Sequence, residues 1–267
     1  MKKLSFLAIA FAAVIFAACG NKQKAENASE AESEKSFEQE QIEASIKMHM
    51  DSIAAEITRL GQFPFLAEGE NGLTLTKEEK QVKPDYLLDA TAADQTATLA
   101  EKYRMLSALS VDKKVAALYE MPTADYEKAI AKLAADVNDP SFKVLDDASN
   151  IFETSQTLYD AMEENGRINY FWQLASAALV EQLYVMSQNT DKFLGVFDDQ
   201  AATNVTFRII VILDAVNRLA QYDPETQPLA EALAPLEVLD ATSVDQLKTQ
   251  LVTAQKDINN ARTVLFK

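Results

Sequence analysis

Phe171-Trp172-Gln173-Leu174-Ala175-Ser176-Ala177-Ala178-Leu179-Val180-Glu181-Gln182-Leu183 is the stretch that decides the fold. Wound at 3.6 residues per turn, it is apolar on nearly every side, and the pattern extends over 170–187. A helix without a polar face is a buried helix. A second run, 205–220, reads the same way through Phe207, Ile209, Ile210, Val211, Ile212 and Leu213. Its β-branched middle also fits a buried strand. The pattern, however, continues through Ala215, Val216, Leu219 and Ala220, past strand length. These two segments are therefore expected at the centre of an all-α, bundle-like body of about eight or nine helices.

The flanking sequence agrees. The chain has 6 Gly and 7 Pro, and most of them fall at apparent breaks. Excluding these two residues from the intervals between breaks is what long helices require. Ser36-Phe37-Glu38-Gln39 reads as a capping box, followed by an apolar face of Ile42, Ile46, Met50, Ile53, Ile57 and Leu60, with Gly61 as a stop. Thr91-Ala92-Ala93-Asp94 reads as a second box ahead of Leu99, Tyr103, Leu106 and Leu109. Further faces are Tyr126, Ile130, Leu133 and Val137, and then Ile151, Phe152, Leu158, Tyr159 and Met162 closed by Gly166. From Ser243 a last helix carries Leu247, Leu251, Ala254, Ile258, Ala261 and Leu265. That spacing makes a narrow seam, for a neighbouring helix or for a partner.

Residues 62–90 are the least regular. Gly69-Glu70-Asn71-Gly72 marks a turn, and Leu73-Thr74-Leu75-Thr76 alternates like a short strand. Pro84-Asp85-Tyr86-Leu87-Leu88-Asp89 places two carboxylates around a tyrosine, which reads as a capped turn held by apolar anchors.

The amino terminus carries an address. Met1-Lys2-Lys3 is basic, and Leu4 to Ala18 is an uncharged, nearly all-apolar run ending in small residues before Cys19-Gly20. That is the layout of a secretory signal, too short for a span of about 20 residues. Phe16-Ala17-Ala18-Cys19 resembles the lipobox of bacterial lipoproteins, with Phe16 where the family usually has an aliphatic residue. The resemblance implies cleavage before Cys19, diacylglycerol on its thiol and acylation of the new amine. Gly20 stands where an inner-membrane retention signal would place Asp, so the outer membrane is implied, on its periplasmic face or at the cell surface. The leader and acidic body resemble lipoproteins of Bacteroidetes. Cys19 is the only cysteine, so lipidation also accounts for the one thiol of an exported chain. The expected organisation is a signal over 1–18, the lipidated Cys19 and an acidic tether over 19–35, and a helical domain over 36–267. Rich in Glu and without apolar anchors, the tether is expected to be disordered, with a reach of about 22 Å.

Composition narrows the chemistry. Net charge is −16, and becomes −18 when Lys2 and Lys3 leave with the signal, so no basic surface is left for nucleic acid. The chain has one histidine, His49, on a predicted helix face, and no second cysteine, so neither a zinc site nor a catalytic triad is expected. Asp146-Asp147 and Asp198-Asp199 are bare doublets without a calcium-loop pattern. Asp51-Ser52-Ile53 matches only a loose O-glycosylation tripeptide. No cofactor is expected. The informative residues are charges inside the two central segments: Glu181 in one, and Arg208, Asp214 and Arg218 in the other. Near a core they must pair, as structural ion pairs or as the lining of a polar cleft. The reading is a lipid-tethered, non-enzymatic helical domain that binds a protein or small ligand at the envelope. The alternatives are a carboxylate-dependent hydrolase and a purely structural lipoprotein.

Overall fold

Thr98 starts the helix around which the body is organised. Its hydroxyl accepts from the Glu101 amide, while the Glu101 carboxylate accepts from the Thr98 and Ala97 amides at 2.9 and 2.7 Å. This reciprocal bonding satisfies amides that the first turn otherwise leaves unpaired. The fold is that of a computed structural model, which describes residues 72–144 and 155–266, with 63–67 and positions 48, 52, 55, 56, 60 and 69. Its α-helices in chain order are α1 (Lys77–Gln81), α2 (Leu99–Leu118), α3 (Ala124–Val137), α4 (Ser155–Glu164), α5 (Ile168–Gln188), α6 (Thr190–Phe193), α7 (Asp199–Leu219), α8 (Gln227–Leu233), α9 (Val244–Thr253) and α10 (Gln255–Leu265). Short 3-10 turns, among them Ala90–Gln95, join them. The protein is all-α, with no strand among the described residues.

Helices α2 and α5 form the centre. They pack against each other, and each carries small buried side chains, Ser107 and Ala108 on one and Ala177 and Ala178 on the other. The Ser107 hydroxyl donates to the Leu174 carbonyl at 2.8 Å, which fixes the approach. Helix α3 covers α2, and α10 covers α5. Helix α4 is held on α5 by edge-on rings: Tyr159 meets Phe171 at 5.0 Å and Trp172 at 6.3 Å. Such geometry adds about 0.5–1.5 kcal/mol per pair beyond burial. Gly166, at φ +66°, ends α4, with Arg167 N–H reaching back to Met162 O at 2.7 Å.

Several expectations need correction. Leu73 to Thr76 forms no strand; Thr76 instead caps α1 through a capping box with Glu79. Thr91-Ala92-Ala93-Asp94 is not the box of the long helix, because Asp89 caps the 3-10 turn that contains it. The last helix breaks at Ala254 into α9 and α10, although all six seam residues are buried within the body. The seam is thus used internally and offers no free stripe. Helix α7 is not buried all round, since Phe207 and Ile210 face solvent. The 36–60 face apart from Leu60, and Ile151 and Phe152, lie outside the described residues.

In the turn at 69–72, Gly72 N–H donates to Gly69 O at 3.2 Å. A Cβ on Gly72 would sit 1.9 Å from Ala67 O, whereas Gly69, at φ +80°, has open space around it. Gly69→Ala is expected to cost about 1 kcal/mol in urea unfolding through its backbone angle alone, and Gly72→Ala clearly more. A wild-type midpoint for Gly72→Ala would contradict this turn.

Candidate functional site

Three charged side chains meet in the interior from three helices. Glu181 on α5 is fully buried and accepts from Arg262 of α10 through both oxygens: Nε to Oε2 and Nη2 to Oε1, each at 2.8 Å. A planar guanidinium and a carboxylate match as two parallel bonds, the strongest arrangement available to this pair. The Arg262 guanidinium also lies 3.8 Å over the Tyr184 ring and donates to the Tyr86 carbonyl at 3.2 Å. The third member is Asp112 of α2, likewise fully buried. Its Oδ2 accepts from the Leu88 amide at 2.8 Å, and its Oδ1 faces no N–H or O–H donor. Asp112 and Glu181 lie within hydrogen-bond contact of each other.

Two buried carboxylates cannot share one guanidinium at full charge, because each ion loses its hydration and repels the other. Burial, and the Glu181 charge beside it, push Asp112 well above the usual carboxylate range. Burial pushes Glu181 up as well, but Arg262 opposes it. The arrangement closes when Asp112 keeps its proton and donates it to Glu181, leaving Glu181 ionised against Arg262. The cluster is then neutral, and Oδ1 has its partner.

This cluster clamps one stretch of chain, 86–89. Arg262 holds the Tyr86 carbonyl, Asp112 holds the Leu88 amide, and the Tyr126 hydroxyl of α3 donates to the Leu88 carbonyl at 2.8 Å. Tyr86 meets Tyr184 edge-on at 6.2 Å. Asp89 then accepts from the Thr91 amide and hydroxyl at 2.8 and 2.7 Å, which holds its carboxyl below the usual range. The clamped stretch leads through Asp89 into 89–94, one wall of an open groove of about 350 Å³ against α3, lined by Asp89, Asp94, Asp125, Tyr126, Lys128 and Lys132 among others. Asp94 and Lys132 form an ion pair across it.

The four charges singled out in the sequence are not one site. Glu181 is in the cluster. Arg208 is buried with its guanidinium 4.6 Å over the Phe63 ring, and burial holds its pKa down to about 10, so it stays charged at neutral pH. Asp214 and Arg218 pair with each other at 3.0 Å, one turn apart on the half-exposed side of α7. Such pairs contribute about 0.3–0.5 kcal/mol, unlike an interior pair. Asp198 caps α7 and Asp199 accepts from the Val244 amide, so that doublet is structural. Ser52 is helical and exposed. Cys19, His49, Asp51 and the Asp146-Asp147 doublet lie outside the described residues.

Sequence reading missed Asp112 and Arg262. Asp112 is followed by Lys113-Lys114 and looks like surface, yet it falls three residues after Leu109 on the apolar row. Arg262 sits beside the seam residue Ala261, four after Ile258.

Burial and the neighbouring Glu181 make folded Asp112 hold its proton to higher pH than the unfolded chain, which releases it above about pH 4. Stability from this group is complete below that pH and falls as pH rises, by up to about 1.4 kcal/mol per pH unit, until Asp112 itself ionises. Asp112→Asn has no such proton, and its amide can both accept from Leu88 and donate to Glu181. Its stability relative to wild type is expected to climb as pH rises above about 4 in urea titrations. Parallel profiles would show that Asp112 holds no proton.

Comparison with known proteins finds no matching family, no similar curated protein and no similar solved structure. The chemistry of the groove and its clamp is therefore the ground on which a role is assigned.

Proposed function

We propose that this chain is a lipid-anchored envelope protein, held at the outer membrane through Cys19, whose helical body binds a protein partner without catalysis. The supporting observation is the groove between 89–94 and α3. Its walls carry Asp89, Asp94, Asp125, Lys128 and Lys132, and the chain entering one of them at Asp89 is held at Tyr86 and Leu88 by the buried cluster. A recess held rigid before binding loses little entropy when it is filled. Its mixed-charge, open lining suits charged side chains of a protein rather than an apolar small molecule, for which enclosed apolar pockets are the rule. The final seam, now spent inside the body, no longer supports this reading.

A carboxylate hydrolase needs one acid at the cleft kept protonated to serve the leaving group. Asp89 is held on the ionised side by Thr91. The acids that are pushed up are Asp112 and Glu181, both fully buried, with Asp112 accepting from the Leu88 amide and Glu181 from Arg262. These positions favour binding over hydrolysis. No helix among the described residues is long and apolar enough to cross a membrane, and attachment is assigned to lipid on Cys19.

The test is made in cells fed labelled palmitate, with a photo-crosslinking residue at Lys128. Wild type is expected to take up label and to give a discrete protein adduct. Cys19→Ser should lose the label, and Asp125→Lys should lose the adduct while keeping its thermal midpoint. Label on Cys19→Ser would overturn the anchor. Absence of an adduct, or one indifferent to Asp125→Lys, would overturn the groove as the binding face.

A further inference from the structure

The groove against α3 joins two kinds of surface. Ala93 and Ala129 line it and are buried, which makes them its floor, and Ala90 and Pro122 add further apolar lining. Its charged residues, Asp89, Asp94, Asp125, Lys128 and Lys132, are all exposed and make the rim. An apolar floor below a charged rim suits a side chain built the same way, a long apolar stem that ends in a charge.

The direction of the two walls places the charges. The Tyr126 hydroxyl reaches the Leu88 carbonyl at one end, and Lys132 pairs with Asp94 at the other. The walls therefore run in the same direction. Asp89 and Asp125, the chain neighbours of Leu88 and Tyr126, share the first end.

Most polar groups of the groove are already engaged. Asp94 and Lys132 neutralise each other. Thr91 gives both its amide and its hydroxyl to Asp89 Oδ1. These bonds hold the Asp89 carboxyl below the usual range, so it is ionised at neutral pH. Among the described residues, Asp89 Oδ2 and the whole Asp125 carboxylate are left without a hydrogen-bond or ion-pair partner. Two carboxylates at one end of a recess are complementary to a cation. Lys128, one turn from Asp125 on the same wall, repels a second cation beside the first. A single basic side chain is accepted and a basic run is disfavoured, since selectivity needs a repulsive element as well as an attractive one.

We propose that the protein partner enters this groove with one lysine or arginine side chain, its stem over Ala93 and Ala129 and its charged head at Asp89 and Asp125. The inference rests on the groove being the binding face and names the chemistry that the face selects.

The mature chain with the photo-crosslinking residue at Lys128 tests it, illuminated in envelope extract whose proteins have been chemically treated beforehand. Acetylating their lysines and blocking their arginines with a dicarbonyl reagent is expected to lower the adduct at least about tenfold. Reductive methylation, which keeps the lysine charge, should leave the adduct close to its untreated yield, as should conversion of carboxyls to amides. Asp125→Asn should lower the yield at least about fivefold, and Glu237→Gln, the same change of charge outside the groove, should not. Loss of the adduct on amidation, with indifference to blocked bases, would overturn the proposal, because the occupant would then be acidic. Equal loss in Glu237→Gln and Asp125→Asn would also overturn it, because the attraction would then belong to the acidic chain as a whole. An adduct that forms and ignores the blocking of bases overturns this inference alone. No adduct from untreated extract overturns the groove as the binding face and this inference with it.

Discussion

A guanidinium in the interior is tolerable only where its charge is met, and the Glu181–Arg262 bond meets it. The two residues come from helices 81 positions apart in sequence, so the bond fixes where α10 lies on α5. Removing one partner would leave the other charge buried, at a cost of about 3–5 kcal/mol. Tyr184, stacked on the guanidinium, completes the seat of Arg262. Around this point α2 contributes Asp112, and the three-helix centre is set by polar geometry as well as by apolar packing.

The same cluster carries its order outward. The 86–89 stretch has no helix of its own, and the Tyr86 carbonyl and the Leu88 amide and carbonyl are bonded by Arg262, Asp112 and Tyr126. Buried backbone groups need such partners. With those bonds made, Asp89 reaches the position where it caps the next turn and edges the groove. The surface feature on which binding is proposed is thus joined through 86–89 to the buried cluster in the core.

Much of this was legible in the chain. Helix α5 announced itself because apolar residues surround it, and Glu181 stood out as a charge with no polar side to occupy. The partner was hidden because α10 is amphipathic, and Arg262 beside Ala261 looks like one more solvated cation. Asp112 was masked by its two lysines in the same way. Asp214 and Arg218 misled for the opposite reason. Their segment is so rich in β-branched residues that its polar edge was taken for core, although their four-residue spacing is that of a surface pair. Leu73 to Thr76 alternates like a strand, but no strand lies among the described residues to pair with it, and the Thr76 hydroxyl accepts from the Glu79 amide of α1 instead. Local pattern gave helix existence well. It could not give which charges meet, because that depends on helices distant in sequence.

The central claim is that Glu181 and Arg262 act as one unit. A double-mutant cycle in urea unfolding, using Glu181→Ala, Arg262→Ala and the pair, measures it directly. The account predicts that each single change costs several times what it costs in the background of the other, with a coupling of at least about 2 kcal/mol. Additive effects, with coupling within about 0.5 kcal/mol of zero, would contradict it.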